Sequence, residues 1–289
     1  MNISVKNCSP QYYPDLAHIG YCGVDFSFGG YDLYEEMMAP DYAPKIKDRQ
    51  QAILDAGLTV CQTHISYRPS RRLPPDGGNY PDYAKKMLPL FEKQLRITAD
   101  MGCRVAVFHP YYELASKERS RQGNLQLLET LMPLLEQTGI VLSLENVYGP
   151  NCIHAHHSTA EELLFYTEHF DSPHIGICLD TGHAVIRNQD PVQMLRQVAH
   201  RLTAVHLHST LPGHDLHTIP YFTNQAELID WETFSQVLRQ TPYTGPFNLE
   251  LKLPPKLSPE AVRLFYQTAY TVARDIMASQ PQKSTGLSR

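Results

Sequence analysis

Short apolar runs alternate along the chain with longer segments of helical periodicity. Several of these runs are apolar almost throughout, which is typical of strands buried on both faces of a parallel sheet. The predicted strands are Ile3–Lys6, Gly23–Phe28, Leu58–His64, Arg104–His109, Ile140–Glu145, His174–Asp180, Leu202–His208 and Pro246–Leu251. Because nearly all of them are followed by a helical pattern, the chain is predicted to be an α/β protein.

Helical patterns fill most of the segments between the strands. The sequence Ser158-Thr159-Ala160-Glu161 has the form of a capping box and predicts a helix that runs through His169. Pro133 predicts a kink in the leucine-rich helix Asn124–Gln137. The remaining predicted helices are Pro81–Met101, Trp231–Arg239 and Pro259–Met277.

Alternation of strands and helices in a chain of 289 residues favours a (β/α)₈ TIM barrel. The alternative is an open doubly wound sheet, which would normally carry a glycine-rich phosphate turn after its first strand. Gly29-Gly30 is too short for that turn. No linker divides the chain, so we expect one barrel domain over residues 1–279 and a disordered tail at 280–289.

Composition narrows the class of protein. The chain is 42% hydrophobic and 19% charged, as in soluble globular proteins, and no apolar run approaches the ~18–20 residues of a membrane span. The N-terminus lacks a signal peptide pattern, so we expect a cytoplasmic protein. A net charge of −5 gives no general basic field for a polyanion, although a local patch would suffice for one.

The six cysteines are scattered and include no C-x-x-C pair. An even number leaves three disulfides open in principle. Cys61 and Cys178, however, lie inside predicted strands, and nothing indicates secretion. These features favour buried, reduced thiols.

Metal-binding residue types lie at the carboxyl ends of six predicted strands. In a TIM barrel the carboxyl ends of the strands form one rim, so these side chains are expected to meet. They are His64, His109, Glu145, Asp180, His206 and Glu250. A single histidine at a strand end is usually a hydrogen-bonded core residue. Six such groups on one rim, with pooled negative charge, are better explained by a bound cation.

Spacing adds further candidates to this rim. Asp180 and His183 are three residues apart where a strand passes into a helix, and Asp215 and His217 are two apart in a segment predicted as an extended loop. Carboxylate and imidazole ligands without thiolate favour Zn²⁺, Mn²⁺, Co²⁺ or Mg²⁺. His208 shares a face with His206 and fits either a ligand or a supporting residue. The run His154, His156 and His157 is expected on a solvated loop.

The order of these motifs resembles the xylose isomerase-like TIM-barrel superfamily, from about residue 20 to residue 275. This superfamily contains sugar phosphate isomerases and epimerases, and also endonuclease IV, the zinc-dependent abasic-site nuclease. The matching motifs are Phe108-His109-Pro110, Leu144-Glu145-Asn146, Leu179-Asp180-Thr181-Gly182-His183, His206-Leu207-His208, Asp215-Leu216-His217 and Leu249-Glu250-Leu251.

Resemblance to the ketose 3-epimerase and isomerase branch implies a single cation site. Glu145, Asp180, His206 and Glu250 would bind the ion. Glu145 and Glu250 would lie on opposite faces of a sugar, one removing a proton beside the carbonyl and the other returning it through an enediolate. His183 would hydrogen-bond the oxygens of this small-molecule substrate.

Resemblance to endonuclease IV implies a larger set of ligands and a phosphodiesterase acting on abasic DNA. In that enzyme a metal-bound hydroxide attacks the phosphodiester. His64-Ile65-Ser66-Tyr67 also resembles the nuclease's His-x-x-Tyr. The matching three-zinc set would be His64, His109, Glu145, Asp180, His183, His206, Asp215, His217 and Glu250.

Three features favour the sugar enzymes. Thr218-Ile219-Pro220 and Ile229-Asp230-Trp231 look like segments of the isomerase-like members, and the acidic balance does not favour DNA. The basic cluster Arg68-Pro69-Ser70-Arg71-Arg72 fits a solvated loop, nucleic-acid phosphate contacts or a sugar phosphate site. Pro212 stands where ketose epimerases carry an arginine six residues after the metal-binding histidine, so the resemblance does not carry over their substrate specificity.

We therefore predict a sugar or sugar phosphate isomerase or epimerase that binds one to three divalent ions. The first alternative is the endonuclease IV-like phosphodiesterase, and the second is a barrel that has lost its activity. A nucleic-acid partner is not expected, whereas a homo-oligomer is compatible with the sequence.

Overall fold

A computed structural model of the protein describes residues 1–6, 9–29, 34–66, 80–111, 116–148 and 157–279. Eight parallel strands form one sheet. Their bounds are β1 Ile3–Lys6, β2 Gly23–Ser27, β3 Thr59–His64, β4 Val105–Phe108, β5 Val141–Glu145, β6 Ile175–Asp180, β7 Leu202–His206 and β10 Phe247–Leu249. Their order in the sheet is β10-β1-β2-β3-β4-β5-β6-β7. Every predicted strand is present, and all but the first are one to three residues shorter than predicted.

The two edges of this sheet meet and make it a barrel. Leu207, just after β7, forms a parallel bridge with Leu249 in β10. Its N–H donates to the carbonyl of Asn248 at 2.9 Å, and its carbonyl accepts from the N–H of Glu250 at 3.1 Å. The fold is thus the predicted (β/α)₈ TIM barrel rather than an open doubly wound sheet.

Helices surround the barrel. They are α1 Tyr13–Ile19, α2 Tyr34–Met38, α3 Tyr42–Asp55, α4 Tyr80–Asp100, α5 Lys117–Thr138, α6 Ala160–Phe170, α7 Thr181–Ile186, α8 Pro191–Val198, α9 Trp231–Gln240 and α10 Pro259–Ala278. Helices α1, α2, α3 and α8 were not predicted, whereas α7 is the helix that was expected to follow Asp180. Helices α1, α2 and α8 are eight residues or shorter, and α3 buries only Tyr42, Ile46 and Ile53, so its periodic signal is weak.

Helix ends follow local sequence chemistry. The capping box of α6 uses Thr159 as the N-cap and Glu162 as its partner, one residue later than predicted. Helix α5 begins after Ser116, whose side chain accepts a hydrogen bond from the N–H of Arg119, and it continues through Pro133. It ends at Gly139, whose φ of 68° is a left-handed conformation that glycine adopts without strain.

A two-stranded antiparallel hairpin projects after β7 and was not predicted. Its strands are β8 Ser209–Leu211 and β9 His214–Thr218. Asp215 and His217 therefore lie on a strand rather than in a loop. Each strand is short and mostly polar, so no run of apolar residues marks it.

The barrel interior beneath the strand ends is polar. The hydroxyl of Ser4 donates to Asn248 at 2.7 Å, while Asn248 and Gln62 donate to Asp25 at 3.3 and 3.0 Å. All four side chains are buried. The apolar core lies mainly between strands and helices, for example where Phe91 of α4 packs edge-on against Phe108 of β4.

The described cysteines are free thiols, as predicted. Cys103 and Cys178 are buried, whereas Cys22 and Cys61 are half-buried, which the sequence analysis did not anticipate. Cys8, Cys152, the basic cluster 68–72, Tyr67 and the predicted tail 280–289 lie outside the described residues. None of the helices in the described part of the chain combines the length and apolar character that crossing a membrane requires.

Candidate metal centre

Six strands deliver metal-binding side chains to one mouth of the barrel. β3, β5, β6 and β7 end on His64, Glu145, Asp180 and His206, while β4 and β10 are followed at once by His109 and Glu250. All six are buried except His109, whose side chain is 26% exposed. Within the described residues, these side chains and those of α7 and β9 form groups of three or four potential ligands whose donor atoms lie within 4.8 Å of one another.

The first group joins His64, His109 and Glu145. Glu145 Oε2 lies 3.2 Å from His64 Nε2 and 3.0 Å from His109 Nε2. The second group joins Glu145, Asp180, His206 and Glu250. Its centre is His206 Nδ1, which is 2.6 Å from Glu250 Oε2 and 3.3 Å from Glu145 Oε1.

The hairpin and helix α7 complete a third group. It consists of His183, Asp215 and His217. His217 Nε2 lies 3.0 Å from Asp215 Oδ2, and His183 Nε2 lies 3.9 Å from Asp215 Oδ1. All nine predicted ligands are therefore brought into three adjoining groups. A further group consists of Glu145, Cys178 and His206, in which the Cys178 thiol takes the place of Asp180 and Glu250.

The donor atoms fit a divalent cation. His64, His183 and His217 each place Nδ1 within hydrogen-bonding distance of a backbone carbonyl, at 2.9, 2.8 and 3.1 Å. Because a carbonyl only accepts, Nδ1 carries the hydrogen and Nε2 remains for a metal. Metal-binding histidines are commonly held in this way.

Several buried atoms that could bind a metal also lack hydrogen-bond partners. His206 Nδ1, Glu250 Oε2 and Asp215 Oδ1 are inaccessible to solvent and make no hydrogen bond of acceptable geometry within the structure. His206 Nδ1 and Glu250 Oε2 are close to each other, but the contact is misaligned for a hydrogen bond. Leaving such atoms buried and unsatisfied is unfavourable. A cation in the second group would satisfy His206 Nδ1 and Glu250 Oε2, and a cation in the third group would satisfy Asp215 Oδ1.

Histidines and carboxylates stabilise each other's charges in the centre. Burial disfavours ionisation of Glu145, but nearby His206 and His109 outweigh it and hold the Glu145 pKa well below its usual range. Burial likewise opposes the charged form of His183, yet Asp180 and Glu145 raise the His183 pKa to about 10. Burial lowers the pKa of His109 despite its contact with Glu145. In the centre, the negative charge of Glu145 is thus stabilised by histidines and the positive charge of His183 by carboxylates.

Two supporting residues were missed by the sequence analysis. Asp25, fully buried in β2, places Oδ2 3.1 Å from His206 Nε2, opposite the nitrogen that faces the ligands. Lys6, the last residue of β1, forms an ion pair with Glu250. An aspartate inside an otherwise apolar strand is itself a signal, because a buried carboxylate needs a partner.

His208 lies beside the third group as a supporting residue. Its Nε2 lies 3.2 Å from Asp180 Oδ1, and its ring stacks on that of His217 with centroids 4.0 Å apart. It belongs to none of the ligand groups in the described part of the chain. The ring passes directly over Gly182, where a Cβ atom would lie 1.9 Å from His208 Cε1.

The prediction of a solvated loop for the later histidines is wrong for His157. That side chain is only 3% exposed and lies 3.1 Å from both Asn124 Nδ2 and the hydroxyl of Tyr166. His157 is therefore a core residue whose two partners come from α5 and α6. His154 and His156 lie outside the described residues.

The chain is similar to TIM barrels of one family. The family profile described as xylose isomerase-like TIM barrel matches residues 14–268. L-ribulose-5-phosphate 3-epimerase UlaE of Escherichia coli is 24% identical over 203 residues, which are 69% of this chain and 67% of that protein. Uncharacterized protein y4fM of Sinorhizobium fredii is 26% identical over 104 residues, 36% of this chain and only 32% of that relative's length. The solved structure of 3-keto-D-glucoside 4-epimerase YcjR of E. coli has the same fold, with a TM-score of 0.71 at 18% identity over 95% of this chain and 99% of that chain.

Proposed function

Because the chain belongs to the xylose isomerase-like TIM-barrel family, we propose that it is a divalent-metal-dependent isomerase or epimerase of a sugar or sugar phosphate. Two similar proteins, UlaE and YcjR, are sugar epimerases by name. The group Glu145, Asp180, His206 and Glu250 supports the metal dependence. A cation held there would polarise the substrate carbonyl and favour negative charge on the adjacent oxygens.

The observation that carries this proposal is the pair of carboxylates around one nitrogen. Glu145 and Glu250 approach His206 Nδ1 from 3.3 and 2.6 Å, so both lie at the same small centre. Epimerisation needs one group that takes a proton from carbon and a second that returns it. We assign these roles to Glu145 and Glu250, with His183 donating a hydrogen bond to the substrate oxygens.

Deuterium exchange tests this assignment. Wild-type protein incubated in D₂O with a panel of ketoses and ketose phosphates should incorporate deuterium at carbon, and a chelator should stop the exchange. Glu145→Gln and Glu250→Gln should each lower it by roughly 100-fold or more. Glu168→Gln, an exposed change on α6, is the matched control and should have no effect. Full exchange in both active-site variants would remove the two-carboxylate mechanism.

One observation favours the endonuclease IV-like alternative. The hairpin and α7 add His183, Asp215 and His217 to a centre that already holds two groups sharing Glu145. Three adjoining ligand groups suit a multinuclear phosphodiesterase. Elemental analysis should find about one ion per chain for the epimerase and close to three zinc ions for the nuclease. Nicking of duplex DNA at an abasic analogue, without exchange on any sugar, would establish the nuclease instead. Neither activity, with ions bound, would indicate a barrel that has lost its catalysis.

A further inference from the structure

A cavity of about 360 Å³ opens beside the metal centre, between the ends of β1, β2 and β10. One wall carries the candidate ligands Asp215, His217 and Glu250. Lys6, Ser27 and Lys252 also line the cavity. The space next to the site of chemistry is therefore bordered by two lysine side chains and a hydroxyl.

Lys6 is placed there by the register of the barrel. Val5 of β1 pairs with Leu249 of β10, so Lys6 and Glu250 are the next residues on neighbouring parallel strands. Their side chains form an ion pair, and the Lys6 side chain is 27% exposed. Enclosing a lysine at a strand end is unfavourable compared with an apolar residue of similar volume. Pairing with Glu250 explains why Lys6 is tolerated but not why it faces a cavity.

Lys252 adds a cation that structural pairing does not explain. It follows Glu250 by two residues, and both residues line the cavity. Its backbone N–H is fixed to the carbonyl of His217 at 2.9 Å. The side chain is exposed and forms no ion pair with any residue that the structure describes. Its ammonium is thus available to a ligand in the cavity.

We propose that Lys6, Lys252 and Ser27 bind the anionic substituent of the substrate, a phosphate ester or a carboxylate carried by the sugar. This inference rests on the proposed function, since it places that group beside the carboxylates that would move the proton. Ammonium groups bind phosphate and carboxylate oxygens through charge-assisted hydrogen bonds, and the Ser27 hydroxyl adds a donor. The substrate is accordingly an anionic sugar rather than a neutral one.

Lys252→Met is the diagnostic change, because Lys252 is exposed and forms no ion pair with a candidate ligand in the described part of the chain. Lys47→Met, which removes another exposed lysine from α3, is the matched control. Steady-state kinetics would compare a ketopentose, its terminal phosphate and a keto sugar acid. We expect Lys252→Met to raise KM about tenfold for whichever anionic sugar is the substrate, with kcat little changed and the neutral sugar unaffected. Lys6→Met should weaken binding of the same anionic sugar, and it should also lower kcat because Glu250 loses its ion-pair partner.

The outcomes separate this inference from the proposed function. If a neutral ketose is turned over as well as the anionic sugars and Lys252→Met changes none of their KM values, the anion site is wrong while the epimerase stands. If no sugar exchanges deuterium, equilibrium titration with inorganic phosphate decides the site alone. Phosphate binding that is lost in Lys252→Met but kept in Lys47→Met supports the site without the epimerase, and equal binding by both variants overturns it.

Discussion

Gly182→Ala tests whether His208 positions the metal centre. Gly182 lies in α7, between the candidate ligands Asp180 and His183. Its backbone conformation is an ordinary helical one, and alanine in place of glycine inside a helix normally adds about 1 kcal/mol of stability. Without an obstacle, the substitution should therefore stabilise the protein.

The obstacle is the ring of His208. A Cβ at position 182 would lie 1.9 Å from Cε1, 2.5 Å from Nε2 and 2.6 Å from Nδ1 of that ring. The ring is fully buried, stacks on His217 and contacts Asp180, so moving it would disturb both contacts. Overpacking of this kind costs ~1–3 kcal/mol. Set against the helix gain of about 1 kcal/mol, this cost should leave the variant less stable than wild type by up to about 2 kcal/mol.

Displacement of His208 should also lower the affinity of the centre for a metal ion. Asp180 would lose the imidazole that orients its carboxylate, and loss of such an outer partner typically weakens metal binding by about 10–100-fold. Gly57→Ala is the matched control. Its φ of 81° makes alanine strained there by roughly 1–2 kcal/mol, but no atom lies within 4 Å of the new Cβ. That variant should lose stability while keeping its metal affinity.

Chemical denaturation and zinc titration of the two variants measure both effects. In a His208→Ala background, where the ring is absent, Gly182→Ala should stabilise the protein, and the double-mutant cycle should give a coupling equal to the overpacking cost of ~1–3 kcal/mol. If Gly182→Ala is stabilising in the wild-type background and leaves zinc affinity unchanged, His208 does not hold Asp180 and the reasoning fails.

Two further predictions concern the second ligand group, and a third concerns His183. Asp25→Asn should weaken zinc binding by about tenfold, because the neutral amide replaces the negative charge beside His206 and buries an NH₂ group at a position where Asp25 Oδ1 has no hydrogen-bond partner. Asp48→Asn on the surface of α3 is the control. Equal zinc affinities of the two variants would contradict the role of Asp25. Zinc binding by the second group at pH 7 should release about one proton, since the pKa of His206 is raised and this residue must bind as a neutral imidazole, and the dependence of calorimetric enthalpy on buffer measures this number. For the metal-free protein, the stability contributed by protonated His183 is fully present below the ordinary histidine pKa of 6.5 and is lost as the pH rises through about 10, which urea unfolding across that range would reveal.

The barrel was predictable because its strands are continuous apolar runs and its ligands stand at their ends. A run of buried residues such as Ile175–Asp180, which ends on a carboxylate and passes directly into a capping turn, contains both the strand and the site in consecutive residues. The parallel order of the sheet then brings distant ends together without any further information from the sequence.

The features that were missed depend on contacts between distant segments. Asp25 faces the barrel interior, and the sequence of β2 alone does not distinguish that face from the one packed on helices. His157 is buried only because Asn124 and Tyr166, on two separate helices, supply its partners. The polar hairpin that carries Asp215 has no apolar run to reveal it. Local patterns predict elements and their ends, whereas these residues acquire their roles from tertiary packing.

The two candidate functions make opposite demands on Glu145, and His109→Gln separates them. Both oxygens of Glu145 face histidines, with Oε2 3.0 Å from His109 and Oε1 3.3 Å from His206. A carboxylate shared between two ion sites serves as a ligand, whereas a proton-transferring carboxylate needs an oxygen that is free to meet the substrate. His109 belongs only to the first group. Under the epimerase proposal, His109→Gln should keep deuterium exchange within about threefold of wild type. Under the nuclease alternative, it should lower zinc content and reduce phosphodiester cleavage by ~100-fold. Loss of sugar exchange in His109→Gln, with its zinc content unchanged, would contradict both assignments of Glu145.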